Sequence, residues 1–229
     1  WVFGKLARTI LHNKNSSYYL FSLFKNGYLL ENNKKFINKL NNIENLNNLF
    51  IDGYFQSHLY FQNISSQICN ELKPPKSQKN NFRKLAASMR KQNSVAICLR
   101  LYEEVKNPSI HLISNEVNRK TRLKQIIKEI TNFENDLKLY VFCTHKNKFI
   151  YDLDLPQDTV LITEDNGFKG TIDNLWLMTN CRHHIITNSS FYWWGAWLSS
   201  QIFNSERKRV YISKDFINSD CKPDKWIYF

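Results

Sequence analysis

The chain has 229 residues, 42% hydrophobic and 14% aromatic, enough for one large domain or two small ones with a sizeable core. Thirty-two basic against 20 acidic residues leave a formal net charge of +12, which favours polyanions: nucleic acid, anionic lipid headgroups or phosphorylated substrates. No apolar run approaches the length a membrane-spanning helix needs, so none is expected. Nothing reads as a signal peptide, and the sequence begins at Trp1 rather than Met, so a chain without its natural start is expected. Cys69, Cys98, Cys143, Cys181 and Cys221 have no CxxC spacing. They read as reduced, mostly buried thiols of a cytoplasmic protein, not as a disulfide frame or a zinc site.

Residues 1 to about 72 are rich in Asn, Lys, Leu and Phe. Apolar residues at Phe36, Ile37, Leu40, Ile43, Leu46 and Leu49 fall at helical spacing, so much of this part is expected to be helix joined by Asn-rich loops. Lys73-Pro74-Pro75-Lys76 breaks the pattern as a turn or interdomain link. The basic clusters Lys73 to Lys84 and Arg119 to Lys128 do not interleave aromatics as a single-strand binder would. They read as solvated basic faces, and no nucleic acid partner is expected.

From residue 94 the rhythm changes. Val95 to Leu99 suits a buried strand. Arg119 to Leu137 reads as an amphipathic helix with Leu123, Ile126, Ile127 and Ile130 on one face. Leu137 to Thr144 and Thr159 to Thr163 are the next strands. Thr171 to Cys181 reads as a deeply packed helix with Thr171 as its N-cap. His184 to Thr187 is a fourth strand and Val210 to Ser213 a fifth. Short buried strands alternating with helices mean a parallel α/β sheet.

Between the fourth strand and the next helix lies the most informative segment, Ile185 through Leu198. An apolar strand runs into the turn Thr187-Asn188-Ser189-Ser190, and the turn opens the aromatic helix Phe191-Tyr192-Trp193-Trp194-Gly195-Ala196-Trp197-Leu198. Free backbone N–H groups and the positive end of a helix dipole make such a place an anion site. The bland alternative is a serine N-cap with core tryptophans. In parallel sheets ligands bind outside the carboxyl ends of the strands. This turn, Arg100 and His145 all fall at such ends, which favours the anion site.

No GxGxxG, P-loop or HExxH pattern is present, so phosphates are expected on helix N-termini, hydroxyls and Arg100. Asp152-Leu153-Asp154 forms a DxD that reads as solvated loop carboxylates rather than a metal site. His183 and His184 are neighbours on a strand, point to opposite faces and make poor joint ligands. A metal-independent site is expected.

Asn188-Ser189-Ser190-Phe191-Tyr192-Trp193-Trp194-Gly195-Ala196-Trp197-Leu198, preceded by Asp173 and Leu177-Met178, resembles the bacterial α-1,2-fucosyltransferases of glycosyltransferase family 11. Gly53-Tyr54-Phe55-Gln56-Ser57 and the tail Pro223-Asp224-Lys225-Trp226-Ile227 are similar to two further stretches of that family. The resemblance implies a GT-B-like α/β fold with a C-terminal Rossmann-like parallel sheet and a partial, mostly helical N-terminal part. Residues 1–90 would be the acceptor-side region and linker, and 91–229 the nucleotide-sugar-binding domain. It implies inverting transfer of fucose from GDP-fucose to a glycan hydroxyl in α-1,2 linkage, with no cofactor beyond that donor and no metal.

By the same resemblance, Arg100, Asp173, Asn188, Ser189, Ser190 and Phe191 bind the donor. Arg100 and Glu103 are catalytic, and Tyr54 and Gln56 line the acceptor groove. Glu103, Glu104 and His145 are each candidates to take the acceptor's proton. The family's His-x-Arg-Arg-Gly-Asp is here Cys98-Leu99-Arg100-Leu101-Tyr102-Glu103, keeping one arginine. Its Ser-Asp-Asp is Cys143-Thr144-His145, and Trp1-Val2-Phe3-Gly4 does not supply its Gly-rich segment. A catalytically impaired sugar-nucleotide binder is the alternative. The basic charge implies a cytoplasmic protein held at the inner face of a membrane as a peripheral partner.

Overall fold

The computed structural model describes residues 18–21, 26–31, 35–38, 47–101, 116–203, 205–216 and 218–229. The chain divides into two compact units, residues 1–63 with 217–223, and residues 64–216 with 224–229. Residues 64–90, grouped by the sequence with the N-terminal region, belong to the second unit.

The first unit holds a three-stranded sheet in the order β1-β2-β3: Tyr18–Phe21, Asn26–Leu30 and Asn48–Asp52. β1 pairs antiparallel with β2, and β2 pairs parallel with β3. Among the described residues strands stand where the spacing up to Leu49 predicts helix, followed by 3-10 turns at His58–Tyr60 and Gln62–Ile64, while Ser65–Leu72 and Asn80–Lys91 of the part expected to be mostly helical are helices. The spacing that includes Leu49 misled because a short apolar run fits either period. Leu49-Phe50-Ile51 is an aliphatic and aromatic run whose backbone finds partners along β2, and such residues suit a pleated surface. Residues 39–46, the middle of the expected helix, lie outside the described residues.

The second unit is built on six strands, β4 (Asn93–Cys98), β5 (Leu137–Phe142), β6 (Val160–Ile162), β7 (His183–Ile186), β8 (Val210–Ile212) and β9 (Ile227–Tyr228), in the order β6-β5-β4-β7-β8-β9. Every pairing is parallel. Counted within the unit this is the order 3-2-1-4-5-6, the doubly wound arrangement of nucleotide-binding sheets. The helices are α1 (Ser65–Leu72), α2 (Asn80–Lys91), α3 (Glu116–Phe133), α4 (Lys148–Tyr151), α5 (Thr171–Thr179) and α6 (Ser190–Ile202). β9 is the one strand the sequence pattern did not reveal. It is two residues long, too short for any periodicity.

Burial explains the sequence of the central strands. Val95, Ala96, Ile97 and Cys98 are all fully buried, as a parallel strand covered on both faces requires. On one face Val95, Ile97, Leu139, Val141 and Ile185 pack with Leu123, Ile127 and Ile130 of α3 in a single core. On the other face Cys98 Sγ lies 3.6 Å from Met178 Sδ of α5, and His184 Nε2 meets the Met178 carbonyl at 3.0 Å. α6 packs on α5 through Gly195, where an added Cβ would lie 3.0 Å from Met178 Cβ.

The N-cap of α5 is Gly170, with Thr171 the first helical residue. Gly170 has φ +138, and a Cβ there would meet Asp173 Oδ2 at 2.7 Å. A residue without a side chain is needed at that point, so glycine takes the cap and the helix begins one position earlier than a threonine cap would place it.

Candidate active site

The sheet order makes β4 and β7 neighbours whose following segments lead away in opposite directions. That is the switch point at which such sheets open a crevice. Thr187 ties the ends of the two strands together. Its N–H donates to the Cys98 carbonyl at 3.1 Å, and its Oγ1–H donates to the same carbonyl at 3.0 Å. In turn Thr187 Oγ1 accepts the Arg100 backbone N–H at 2.6 Å. The chain around Arg100 is thereby fixed against the turn that opens α6.

At these strand ends lies a cavity of about 580 Å³, within the range of small-molecule sites. Arg100, Asn188, Ser189, Ser190 and Phe191 all line it, together with Glu164, Thr171 and Asn174. Ser189 is the N-cap of α6, extended at φ −157, and its side chain makes no capping hydrogen bond. The N–H groups of Ser190 and Phe191 have no intrahelical acceptor, because a first helical turn has none to offer. A guanidinium, two hydroxyls, an amide and a helix N-terminus thus share one concave site. That is a donor set for phosphate oxygens.

The family model of Glycosyl transferase family 11 matches residues 5–228. The chain belongs to glycosyl transferase family 11. It is similar to Alpha-1,2-colitosyltransferase of Escherichia coli, 27% identical over 180 residues that cover 76% of this chain and 60% of that protein. The chain thus spans less than two thirds of that relative's length. No solved structure matches.

In this family 11 chain the aromatic motif is mostly scaffold. Trp193 and Trp197 stack at 6.3 Å and 10°, Trp193 lies 5.5 Å from Trp226, and all three are buried. Tyr192 is buried and donates to the Leu99 carbonyl at 3.2 Å, which ties α6 to the end of β4. The core reading of the tryptophans and the anion-site reading of the turn apply to different residues of the same motif.

The altered basic motif divides by strand alternation. Cys98 is fully buried against Met178, Arg100 lines the cavity, and Leu101 packs against the apolar core beneath α3. Tyr102, Glu103 and Glu104 lie outside the described residues. His145 follows β5 beside Thr144, which lines the cavity. Its Nδ1 lies 3.2 Å from Asp165 Oδ1, and Asp165 Oδ2 accepts the Lys146 N–H at 2.6 Å. That backbone hydrogen bond, with the His145 contact, holds the Asp165 carboxyl below the usual aspartate range.

Asp173 stands in the first turn of α5 but not among the lining residues. Its carboxylate pairs with Lys79 at 2.7 Å. Hydrogen bonds from Lys79 and Ser77 lower its pKa. Lys79 also donates to the Lys169 carbonyl at 2.6 Å. Asp173 therefore clasps the loop that precedes α5.

Tyr54 and Gln56 belong to the first unit. Glu31, buried at the end of β2, accepts the N–H groups of Tyr54 and Phe55 at 2.8 and 2.9 Å and the Asn218 amide at 3.1 Å. This clasp holds Phe55 at φ +48 and leaves Tyr54 68% exposed. Gln56 Oε1 is buried with no hydrogen-bond partner.

The remaining candidates are structural. Asp152 pairs with Lys120 at 2.7 Å and Asp154 with Lys124, so the DxD carboxylates neutralise part of a basic helix. His183 and His184 are fully buried. His183 Nδ1 accepts the Arg209 N–H at 3.1 Å. His184 Nε2 must donate, because its partner is a carbonyl. Burial pushes the His183 pKa down to about 4 and holds that of His184 well below its usual value. None of the five cysteines forms a disulfide, and four of them are buried. Among the described residues no helix is long and apolar enough to cross a membrane, and no three His, Cys, Asp or Glu side chains gather as metal ligands.

Sequence reasoning missed Thr187 as a tie, Glu31 as a clasp, and Glu164 and Asn174 as lining residues. For Glu164 a signal existed: it directly follows a predicted strand and so stands at a carboxyl end. The other three depend on contacts between residues far apart in the chain.

Proposed function

We propose that the chain carries the donor-binding part of an inverting glycosyltransferase of GT-B organisation. It moves fucose from GDP-fucose to a sugar hydroxyl in α-1,2 linkage, in glycan or surface polysaccharide synthesis. The observation that carries this reading is the convergence of Arg100 and the α6 N-terminus on one cavity at the β4–β7 switch point. The sugar C1–O bond to the diphosphate breaks as the acceptor oxygen attacks the opposite face, and the acceptor's proton passes to a base. Negative charge grows on the departing diphosphate. The guanidinium and the N–H groups of Ser190 and Phe191 stabilise it there without reorganising. Asn188, Ser189 and Phe191 hold the donor, Asp173 supports the wall beside it, and Tyr54 with Gln56 contacts the acceptor. Glu103, Glu104 and His145 are the candidates for the base.

A second donor sugar follows from the relative's name. Colitose is fucose without its 3-hydroxyl, so a pocket that holds one needs little change to hold the other. A second reading of activity rests on Leu101. Packed into the core, it offers the donor no second cation, which favours a sugar-nucleotide binder with impaired turnover. Incubation with GDP-fucose or GDP-colitose and a panel of sugar acceptors, read by mass and linkage, separates these outcomes. A new α-1,2 product supports transfer, and the better donor names the sugar. Donor binding without product supports the second reading, and neither binding nor product overturns both.

The net charge of +12 favours peripheral attachment to an anionic membrane face, where lipid-linked acceptors sit. Equal sedimentation with neutral and anionic vesicles would contradict it.

A further inference from the structure

We infer that Glu164 and Asn174 form a base-reading subsite in this cavity, selecting guanine through its adjacent N1–H and N2–H donors. The inference rests on the nucleotide-sugar reading above and goes beyond it by assigning the recognition of the base.

Three observations carry it. Glu164 lines the cavity, and among the described residues its carboxylate accepts no hydrogen bond. Among the described residues its charged contact is Lys169 at 3.9 Å, a lysine whose side chain is 81% exposed. Asn174 lines the same cavity and spends its amide N–H on the Phe168 carbonyl at 3.0 Å. That bond fixes the amide orientation, and Oδ1 is left buried with no partner. A buried acceptor without a donor calls for an explanation, and a ligand donor supplies one.

The third observation is position. Glu164 follows β6, at the edge of the sheet, two strands from β4 and three from β7. At the usual spacing, about 4.8 Å between neighbours, that is roughly 10 Å from the strand of Arg100 and 14 Å from the strand of the serine turn. The cavity therefore has Arg100 and the α6 N-terminus at its end over β4 and β7, and the Glu164 carboxylate at its end over β6. A diphosphate belongs at the first end and is repelled by the carboxylate at the second. The nucleoside must then extend toward β6.

The chemistry of that end picks the base. Guanine presents N1–H and an N2–H side by side, a pair that a carboxylate takes with both oxygens. The second N2–H remains for Asn174 Oδ1. Adenine and cytosine set one amino group beside a ring acceptor, and uracil flanks its single N–H with two carbonyls. Each of those places an acceptor against Glu164.

The test is calorimetric titration of the intact chain and of Glu164→Gln and Asn174→Ala with GDP, IDP, UDP and inorganic pyrophosphate. IDP is GDP without the N2 amine. The chain should bind GDP at least about tenfold more tightly than IDP or UDP. Glu164→Gln should weaken GDP by about 10- to 100-fold, the range for losing charge-assisted hydrogen bonds, and leave pyrophosphate unchanged. Asn174→Ala should narrow the ratio of GDP to IDP affinity. Glu164→Gln, an exposed and isosteric change, carries the test even where Asn174→Ala disturbs folding. An equal loss of GDP, IDP and UDP would assign the carboxylate to the ribose and overturn the inference, as would unchanged GDP binding. A folded chain that binds neither GDP nor pyrophosphate would instead overturn the donor-site reading itself.

Discussion

Thr187 shows how much one side chain does at this site. Its hydroxyl donates to the end of β4 and accepts from Arg100. Thr187→Val keeps the shape but leaves the Arg100 N–H without that acceptor. The expected cost is about 1–3 kcal/mol of stability, with weaker nucleotide binding, whereas Thr187→Ser should restore both. Chemical denaturation and titration of the two variants check this. Glu31 plays the corresponding part in the first unit. Glu31→Ala strands two backbone donors and should lower the stability of that unit by about 2–4 kcal/mol, given the strength of bonds to a charged acceptor. Hydrogen exchange at Tyr54 and Phe55 reads it directly.

Asp173 adds a pH dependence at the same scale. Its pKa is lowered in the folded chain, so the folded state binds fewer protons than the unfolded one. Its stabilisation is complete above the unfolded aspartate value, about 3.9, and is lost as pH falls through the depressed folded value. Melting curves of Asp173→Asn should converge on those of the unsubstituted chain below that range and fall short of them at neutral pH. Equal melting at neutral pH would contradict the clasp.

At the scale of elements, α6 is the piece on which both fold and site depend. Its buried face carries Tyr192, Trp193, Trp197 and Leu198, and each such side chain contributes about 1.5–3 kcal/mol when buried. Gly195 lets that face approach α5. Gly195→Ala places a methyl 3.0 Å from Met178 Cβ. Overpacking of this kind is expected to cost about 1–3 kcal/mol, read as a lower melting temperature.

The elements that were legible in the sequence share one property: their pattern is local. β4, β5 and β7 are continuous apolar runs, and α3 repeats Leu123, Ile127 and Ile130 on one face. The serine turn stood out because a strand, hydroxyls and an aromatic helix follow one another without a gap. The N-terminal strands were not legible, since Leu49-Phe50-Ile51 fits two periods and only pairing with β2 decides. The start of α5 was misread by one residue because the deciding feature is the approach of Lys79 and Asp173 to Gly170. Asp173 was read toward the nucleotide; its ion pair with Lys79 lies 94 positions away in sequence and leaves no local trace.

For the molecule as a whole, buried titratable groups in the second unit set the pH range of stability. His183 is held down to about 4 and Lys208 down to about 7, both by burial. Each stays neutral in the folded chain where the unfolded chain is charged. Stability is therefore expected to rise from pH 5 through the unfolded histidine value, about 6.5, and on to about pH 8. Above that the sign reverses. Burial pushes the Cys181 thiol up to about 12 and raises that of Cys98, while unfolded thiols ionise from about pH 8.5. Scanning calorimetry across this range should show a maximum near pH 8, and Lys208→Met should flatten the rise between pH 7 and 8. A melting temperature that is constant from pH 5 to 8 would contradict this picture.

The proposed function requires the cavity at the β4–β7 switch point to hold a nucleoside diphosphate by Arg100 and the α6 N-terminus. Calorimetric titration of GDP into the intact chain and into Arg100→Ala tests it most directly. Saturable binding by the chain is expected, with a loss of at least about tenfold in the variant, the lower end for one charge-assisted contact. A folded chain that does not bind GDP, or an Arg100→Ala variant that binds it equally well, would contradict the claim.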